Sequence, residues 1–176
     1  FMKISNLRDP NKNSLVDPHR NSMINPSKNS TINPLRNSML NPAKNSLINP
    51  KKNSLINPFK NSLINPHKNS LLNPYKNSLI NPFKNSLVNP YKTSMFQGLF
   101  LFNLSKECMG FLIEANESVS LWFDTQGEPK YFTIVANEDV RIVCDFDGNW
   151  ESVLVANSDG QFNLFDMNGS WFGHTT

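Results

Sequence analysis

The chain has 176 residues, of which 38% are hydrophobic and 18% charged, and its formal net charge is +3 at pH 7. Two cysteines are too few for a disulfide-built scaffold, and no apolar run approaches the roughly 20 residues of a membrane-spanning helix. No phosphate-binding loop, dinucleotide fingerprint or zinc-ligand spacing occurs, and the three histidines are too scattered for a metal cluster or a catalytic triad. We therefore predict no enzymatic activity, no cofactor, no metal and no small-molecule substrate.

Residues 1–8 precede the first repeat and are predicted to form its N-terminal cap. Phe1 stands ahead of Met2, and no apolar segment of the kind found in signal peptides follows Met2. With neither a signal peptide nor a membrane span, a cytoplasmic location is expected.

Eleven octapeptide repeats fill residues 9–96, on the pattern Asn-Pro-x-Lys-Asn-Ser-Leu-Ile. Two positions of the repeat are apolar, and we call them the Leu column (Leu15 to Met95) and the Ile column (Val16 to Phe96). The x position, or variable column, is small or polar early and mainly aromatic from Phe59 onward, which favours packing of these rings over an exposed strip for a partner. The fourth position is always cationic; this cationic column consists of Lys12, Arg20, Lys28, Arg36, Lys44, Lys52, Lys60, Lys68, Lys76, Lys84 and Lys92.

The period of the repeat predicts a parallel β-solenoid. A proline every eight residues excludes long helices, and Asn-Pro initiates turns, so short extended segments between Asn-Pro corners are expected. Stacked segments would lie about 4.7–4.9 Å apart and turn each column into a ladder, with two faces per coil slightly favoured over three. The Ile column is placed inside, and the Leu column at a looser inward or corner position. A disordered low-complexity tract is the alternative, against which the strict phasing of the apolar residues argues.

The octapeptide resembles the short-repeat β-solenoids, the pentapeptide and hexapeptide repeat proteins, in kind but without their five- or six-residue motifs. The resemblance covers residues 9–96 only. It implies a structural, binding or mimicry scaffold, and it assigns no functional residue.

Residues 97–176 show a different pattern, in which runs of β-branched and aromatic residues alternate with turn signals such as Asp147-Gly148 and Asn168-Gly169. This pattern predicts a separate acidic domain, an antiparallel meander closing as a small barrel or sandwich. The predicted strands are Leu99–Leu104, Gly110–Glu114, Val119–Asp124, Lys130–Ala136, Val140–Phe146, Glu151–Ala156, Gln161–Phe165 and Ser170–Phe172.

Two features of this second half suggest chemistry, and both have a simpler interpretation. Asp145, Asp147, Asn149 and Glu151 alternate as in a calcium-binding loop, but Gly148 is misplaced for an EF-hand, and a hairpin turn is favoured. Cys108 and Cys144 both fall in predicted strands, where buried free thiols are favoured over a disulfide.

Charge divides the chain into opposed halves. Residues 1–96 hold fourteen Lys/Arg and two Asp, a net charge of +12, whereas residues 97–176 hold three Lys/Arg and twelve Asp/Glu, a net charge of −9. We therefore predict a non-enzymatic structural or interaction protein that self-assembles into an oligomer or filament through its opposed charges or its solenoid ends. The alternative is a module that binds a polyanion (nucleic acid, anionic lipid or cell-wall polymer) through the cationic column.

Overall fold

The computed structural model describes residues 1–176 and contains one β-sheet, closed into an eight-stranded antiparallel barrel. Each strand pairs with the next in the chain, and β1 pairs with β8 to close the barrel. The strands are β1 (Leu99–Asn103), β2 (Cys108–Glu114), β3 (Val119–Phe123), β4 (Pro129–Val135), β5 (Val140–Asp145), β6 (Trp150–Ser158), β7 (Gln161–Asp166) and β8 (Trp171–Thr175).

The barrel is built from four hairpins whose turns recur every 21 residues, at Asn103, Asp124, Asp145 and Asp166. The side-chain Oδ1 of each of these residues accepts a hydrogen bond from the backbone N–H four residues later, at 2.9–3.0 Å. The backbone adopts a positive φ three residues after each of them, and the residue there is a glycine in three of the four turns. An Asn or Asp side chain thus fixes each turn in place of a backbone group.

A β-bulge lies beside each of these turns. In the first hairpin Leu101 pairs with Gly110 and Phe102 with Cys108, so Met109 is the extra residue. The equivalent extra residues of the other three hairpins are Lys130, Glu151 and Phe172.

The repeats form turns and single 3₁₀ turns, not strands. In the repeat that begins at Asn49, the carbonyl of Asn49 accepts hydrogen bonds from the N–H groups of Lys52 and Asn53, at 3.0 and 2.8 Å. A three-residue 3₁₀ helix follows in ten of the repeats: Ser14–Val16, Ser22–Ile24, Ser30–Ile32, Ser38–Leu40, Ser46–Ile48, Ser54–Ile56, Ser62–Ile64, Ser70–Leu72, Ser78–Ile80 and Ser86–Val88.

The prediction of a parallel β-solenoid followed by a separate domain is wrong, and asparagine is the physical reason. The Oδ1 of Asn53 accepts the N–H of Leu55 at 3.1 Å and caps the 3₁₀ turn, so the backbone bends locally instead of extending. Because the backbone hydrogen bonds of each repeat close within it or with the first residue of the next repeat, few groups remain for a ladder. Neighbouring repeats are joined by side chains instead: the Nδ2 of Asn53 donates to the carbonyl of Leu47, and that of Asn49 to the carbonyl of Pro42.

The repeats run once around the outside of the barrel, and we call residues 9–96 the collar. Four collar side chains meet the four hairpin turns in the reverse of the strand order, from the β1–β2 turn through β7–β8 and β5–β6 to β3–β4. These contacts are His19 with Leu104, Leu35 with Gly169, Phe59 with Gly148, and Phe83 with Gly127.

The two ends of the collar meet at Arg8. Its guanidinium donates to the main-chain oxygen atoms of Phe96 and Thr176, at 2.9 and 3.0 Å, and also to that of Gly98. It lies over the ring of Phe100, 4.5 Å from the centroid, and burial lowers its pKa. The collar is therefore a closed ring, so a solenoid end is not free to recruit another molecule.

The collar and the outer face of the barrel share one apolar core. The Ile column is buried in eight repeats and half-buried in three, which confirms its predicted inward position. It packs with outward-facing strand residues such as Phe111, Phe132 and Ile142 in a cluster of 22 buried residues. A second cluster of seven, including Leu101, Trp122 and Leu154, fills the barrel interior. The collar therefore has no core of its own and buries its apolar column only against the barrel.

The chain contains no helix whose length and apolar character would suit it to crossing a membrane.

Candidate interaction surface of the collar

The Leu column forms a belt of exposed apolar side chains around the collar, which corrects its predicted inward or corner position. Successive residues of a 3₁₀ helix point about 120° apart, so when the Ile column faces the barrel, serine and the Leu column face solvent. Ten Leu or Met side chains of the column are 65–74% exposed. With Thr31 they are Leu15, Met23, Met39, Leu47, Leu55, Leu63, Leu71, Leu79, Leu87 and Met95.

All eleven residues of the cationic column are exposed and are distributed around the circumference. The structure does not bring them together in the straight rows that a solenoid would give. Two of them, Lys12 and Arg20, lie within 4.0 Å of a carboxylate, and the other nine do not. Most of the positive charge of the collar is thus unpaired within the chain.

Asp17 fastens the cationic collar to the barrel. Its fully buried carboxylate lies 2.7 Å from Nε of Arg20 and 2.8 Å from Nζ of Lys106, in the β1–β2 turn. Burial raises the pKa of Asp17, but the hydrogen bonds from Lys106, Arg20 and the N–H of His19 outweigh it and leave the pKa below its ordinary value. The second repeat therefore carries aspartate where later repeats carry asparagine because it pairs with a lysine of the barrel.

The variable column serves as the support for the hairpin turns. The hydroxyl of Tyr91 donates to the carbonyl of Thr125, and a Cβ added to Gly148 would lie 3.1 Å from Cζ of Phe59. This is the packing role predicted from the sequence, although Phe59 and Tyr75 stay more than half exposed.

His174 is buried beneath the second repeat, where its ring stacks on Phe102 with centroids 5.7 Å apart. Burial lowers its pKa to about 4; the neighbouring charged and titratable groups are Asp17, His19 and Lys106. His174 is therefore neutral near pH 7.

Acidification is expected to destabilise the fold through His174. Below pH 6.5 the unfolded chain binds a proton at this residue, whereas the folded chain does not until about pH 4. Stability is therefore complete above pH 6.5 and falls towards pH 4, by about 3 kcal/mol in total at ~1.4 kcal/mol per pH unit. The free energy of unfolding, measured with urea between pH 6.5 and pH 4, should fall with pH in the wild type and in the exposed-site control His67→Gln. An unchanged slope in His174→Gln would contradict the assignment.

The acidic loop at Asp145 and the two cysteines, which the sequence analysis also considered, have structural positions. The segment from Asp145 to Asn149 is the β5–β6 turn, in which Oδ1 of Asp145 accepts the N–H of Asn149. Both cysteines are free: Cys144 is buried, and Cys108 is half-buried. Burial raises the pKa of both thiols, that of Cys144 to about 12.

The sequence analysis did not identify the extra residues of the four bulges at this end of the barrel. They are Met109, Lys130, Glu151 and Phe172. The signal for them is the 21-residue spacing of Asn103, Asp124, Asp145 and Asp166, which marks four equivalent turns.

Comparison of the chain with protein-family models, with curated proteins and with solved structures finds no match.

Proposed function

We propose that this protein is a non-enzymatic interaction protein that assembles with further copies of itself through the outer surface of the collar. The observation that carries the proposal is the belt of ten exposed Leu and Met side chains. Contiguous exposed apolar surface on a monomer rarely exceeds a few hundred Å², and larger surfaces mark contacts with partners.

Burial of the belt supplies a driving force for association. Covering a leucine side chain contributes roughly 1.5–3 kcal/mol, so three or four such side chains offset much of the entropic cost of association. Because the belt repeats around a closed ring, one molecule offers equivalent contacts in several directions. Assembly into an oligomer or filament follows more readily than a single dimer.

Opposed charges support a second copy as the partner. The segment with the collar carries +12 and the barrel −9, and the acidic residues of the barrel lie in and beside its end turns, as with Asp124 and Glu138. A barrel end of one molecule therefore complements the cationic column of another. This part of the attraction weakens as salt screens it.

The test is sedimentation velocity with electron microscopy, at about 50 mM and 500 mM NaCl. The wild type is expected to form oligomers or filaments at low salt. The variant Leu47→Ser/Leu55→Ser/Leu63→Ser should associate at least about tenfold more weakly, since it removes three belt side chains. The matched control, Ser46→Ala/Ser54→Ala/Ser62→Ala, changes the adjacent exposed column and should assemble as the wild type does. A monomeric wild type at both salt concentrations would defeat the proposal.

A second candidate, an anionic lipid surface, is favoured by the nine unpaired cations that alternate with exposed leucines. Basic and apolar side chains together suit the interface of an anionic bilayer. Co-sedimentation with phosphatidylserine vesicles, but not with phosphatidylcholine vesicles, would support this function in a protein that stays monomeric. The cytoplasmic location predicted from the sequence belongs to the same proposal, and fractionation of cells tests it.

A further inference from the structure

The barrel has an open cavity at the end that bears the four 21-residue turns. Its volume is about 390 Å³. Aromatic and apolar side chains form most of its wall, and two carboxylates and a serine complete it. The lining residues are Met109, Trp122, Tyr131, Glu151, Ser152, Asp166 and Phe172.

Small residues inside the barrel create this cavity. The four equivalent positions next to the bulges, on the second strand of each hairpin, hold Gly110, Tyr131, Ser152 and Gly173, so only one of these four side chains is large. Gly173 cannot be enlarged freely, because a Cβ there would lie 2.6 Å from the carbonyl oxygen of Phe102. Trp122, the cross-strand partner of Tyr131, also lines the cavity.

The bulges direct three side chains into the mouth. Met109, Glu151 and Phe172 are the extra residues of three hairpins, and all three line the cavity. The fourth extra residue, Lys130, is not part of the lining; its Nζ lies 3.7 Å from Asp124. Bulges at the rim of a barrel often re-aim side chains towards a site.

The lining carries negative charge and aromatic rings but no cationic side chain. Trp122 and Tyr131 pack with ring centroids 4.8 Å apart. The indole N–H groups of Trp150 and Trp171 donate to main-chain carbonyls at 3.0 and 2.9 Å, whereas that of Trp122 has no acceptor in the protein. The indole nitrogen of Trp122 is also not fully buried, and because Trp122 lines the cavity this N–H is accessible from it.

We propose that this cavity is a binding site for a small organic cation, of the quaternary ammonium class. Aromatic faces attract such cations through the ring quadrupole, and weakly hydrated methylated ammonium groups lose little on leaving water. Glu151 and Asp166 add charge complementarity at the rim. The site is independent of the outer surface of the collar.

The test is an NMR titration of the protein with choline chloride, followed on the indole N–H resonance of Trp122. Sodium chloride at matched ionic strength serves as the blank. The neutral isostere 3,3-dimethylbutan-1-ol, which has the same shape without the charge, is titrated in parallel. Choline should shift the Trp122 resonance saturably and bind at least about tenfold more tightly than the isostere, because the cation–π attraction requires the charge.

Glu151→Gln should weaken choline binding about fivefold, as expected for loss of one partly exposed charge partner. Its control, Glu138→Gln, makes the same charge change at the opposite end of the barrel and should leave binding unchanged. Equal affinity for choline and its isostere, or a Trp122 resonance that choline does not move, would overturn the proposal. Saturable binding of a neutral methyl glycoside without competition from choline would assign the cavity to sugars instead.

Discussion

Ile48→Ala is expected to lower the free energy of unfolding by about 4 kcal/mol, within the ~2–5 kcal/mol typical of such a truncation in a packed core. Ile48 is fully buried in the cluster that the collar shares with the barrel. Its loss leaves a cavity between the ring and the outer face of the sheet. Because closure fixes the path of the ring, the collar has little freedom to collapse into that space.

The adjacent residue supplies a matched control. Leu47 is 72% exposed in the belt, so Leu47→Ala should change the free energy of unfolding by less than about 0.5 kcal/mol. Chemical denaturation of the monomeric protein measures both variants. Equal destabilisation by the two would contradict the division into an inner Ile column and an outer Leu column.

Arg8→Ala is expected to cost about 3–5 kcal/mol, because one guanidinium joins both ends of the collar to the barrel. Its three hydrogen bonds reach the main-chain oxygens of Phe96, Gly98 and Thr176. A hydrogen bond to a charged group contributes about 1.5–3 kcal/mol, and a truncated donor leaves its acceptors unpaired.

Two further substitutions isolate this role. Arg8→Lys keeps the charge but cannot reproduce the planar fork of donors, so it should recover less than about half of the lost stability. Arg36→Ala removes an exposed cation of the same collar that has no carboxylate partner, and should have an effect near zero. If Arg36→Ala matched Arg8→Ala, net charge rather than ring closure would explain the loss.

The barrel strands follow from local sequence signals. Alternating apolar runs and turn signals such as Asp147-Gly148 mark β1 to β8, and the strand limits differ from the predicted ones by at most three residues. The inward position of the Ile column also follows, since its members are almost all aliphatic. These features depend on the chemistry of neighbouring residues, which a sequence displays directly.

The collar does not follow from the period of the repeat alone. A three-residue segment such as Ser46–Ile48 is too short for periodicity to distinguish a strand from a 3₁₀ turn. The decisive groups are the amides of residues such as Asn53, which cap their own turn and clamp the preceding repeat. Closure into a ring depends further on the circumference of the barrel, which is a long-range property.

The cavity at the turn end of the barrel can be predicted only in part from the sequence. The 21-residue spacing of Asn103, Asp124, Asp145 and Asp166 identifies four equivalent hairpins. The extra residue in each bulge becomes evident only when cross-strand register is known, so the inward course of Glu151 and Phe172 requires the structure.

Distances between spin labels on the exposed serine column test the closed collar most directly. One protein carries labels at Ser14→Cys and Ser54→Cys, a second at Ser14→Cys and Ser86→Cys, each in a background with Cys108 and Cys144 replaced by alanine and diluted with unlabelled protein. In a ring whose ends meet, position 86 lies close to position 14 again, and position 54 lies across the barrel. Pulsed electron paramagnetic resonance should therefore give the shorter distance for the 14/86 pair. An open or rod-like arrangement of the repeats would give a longer distance for the 14/86 pair than for the 14/54 pair. That result would contradict the closed collar.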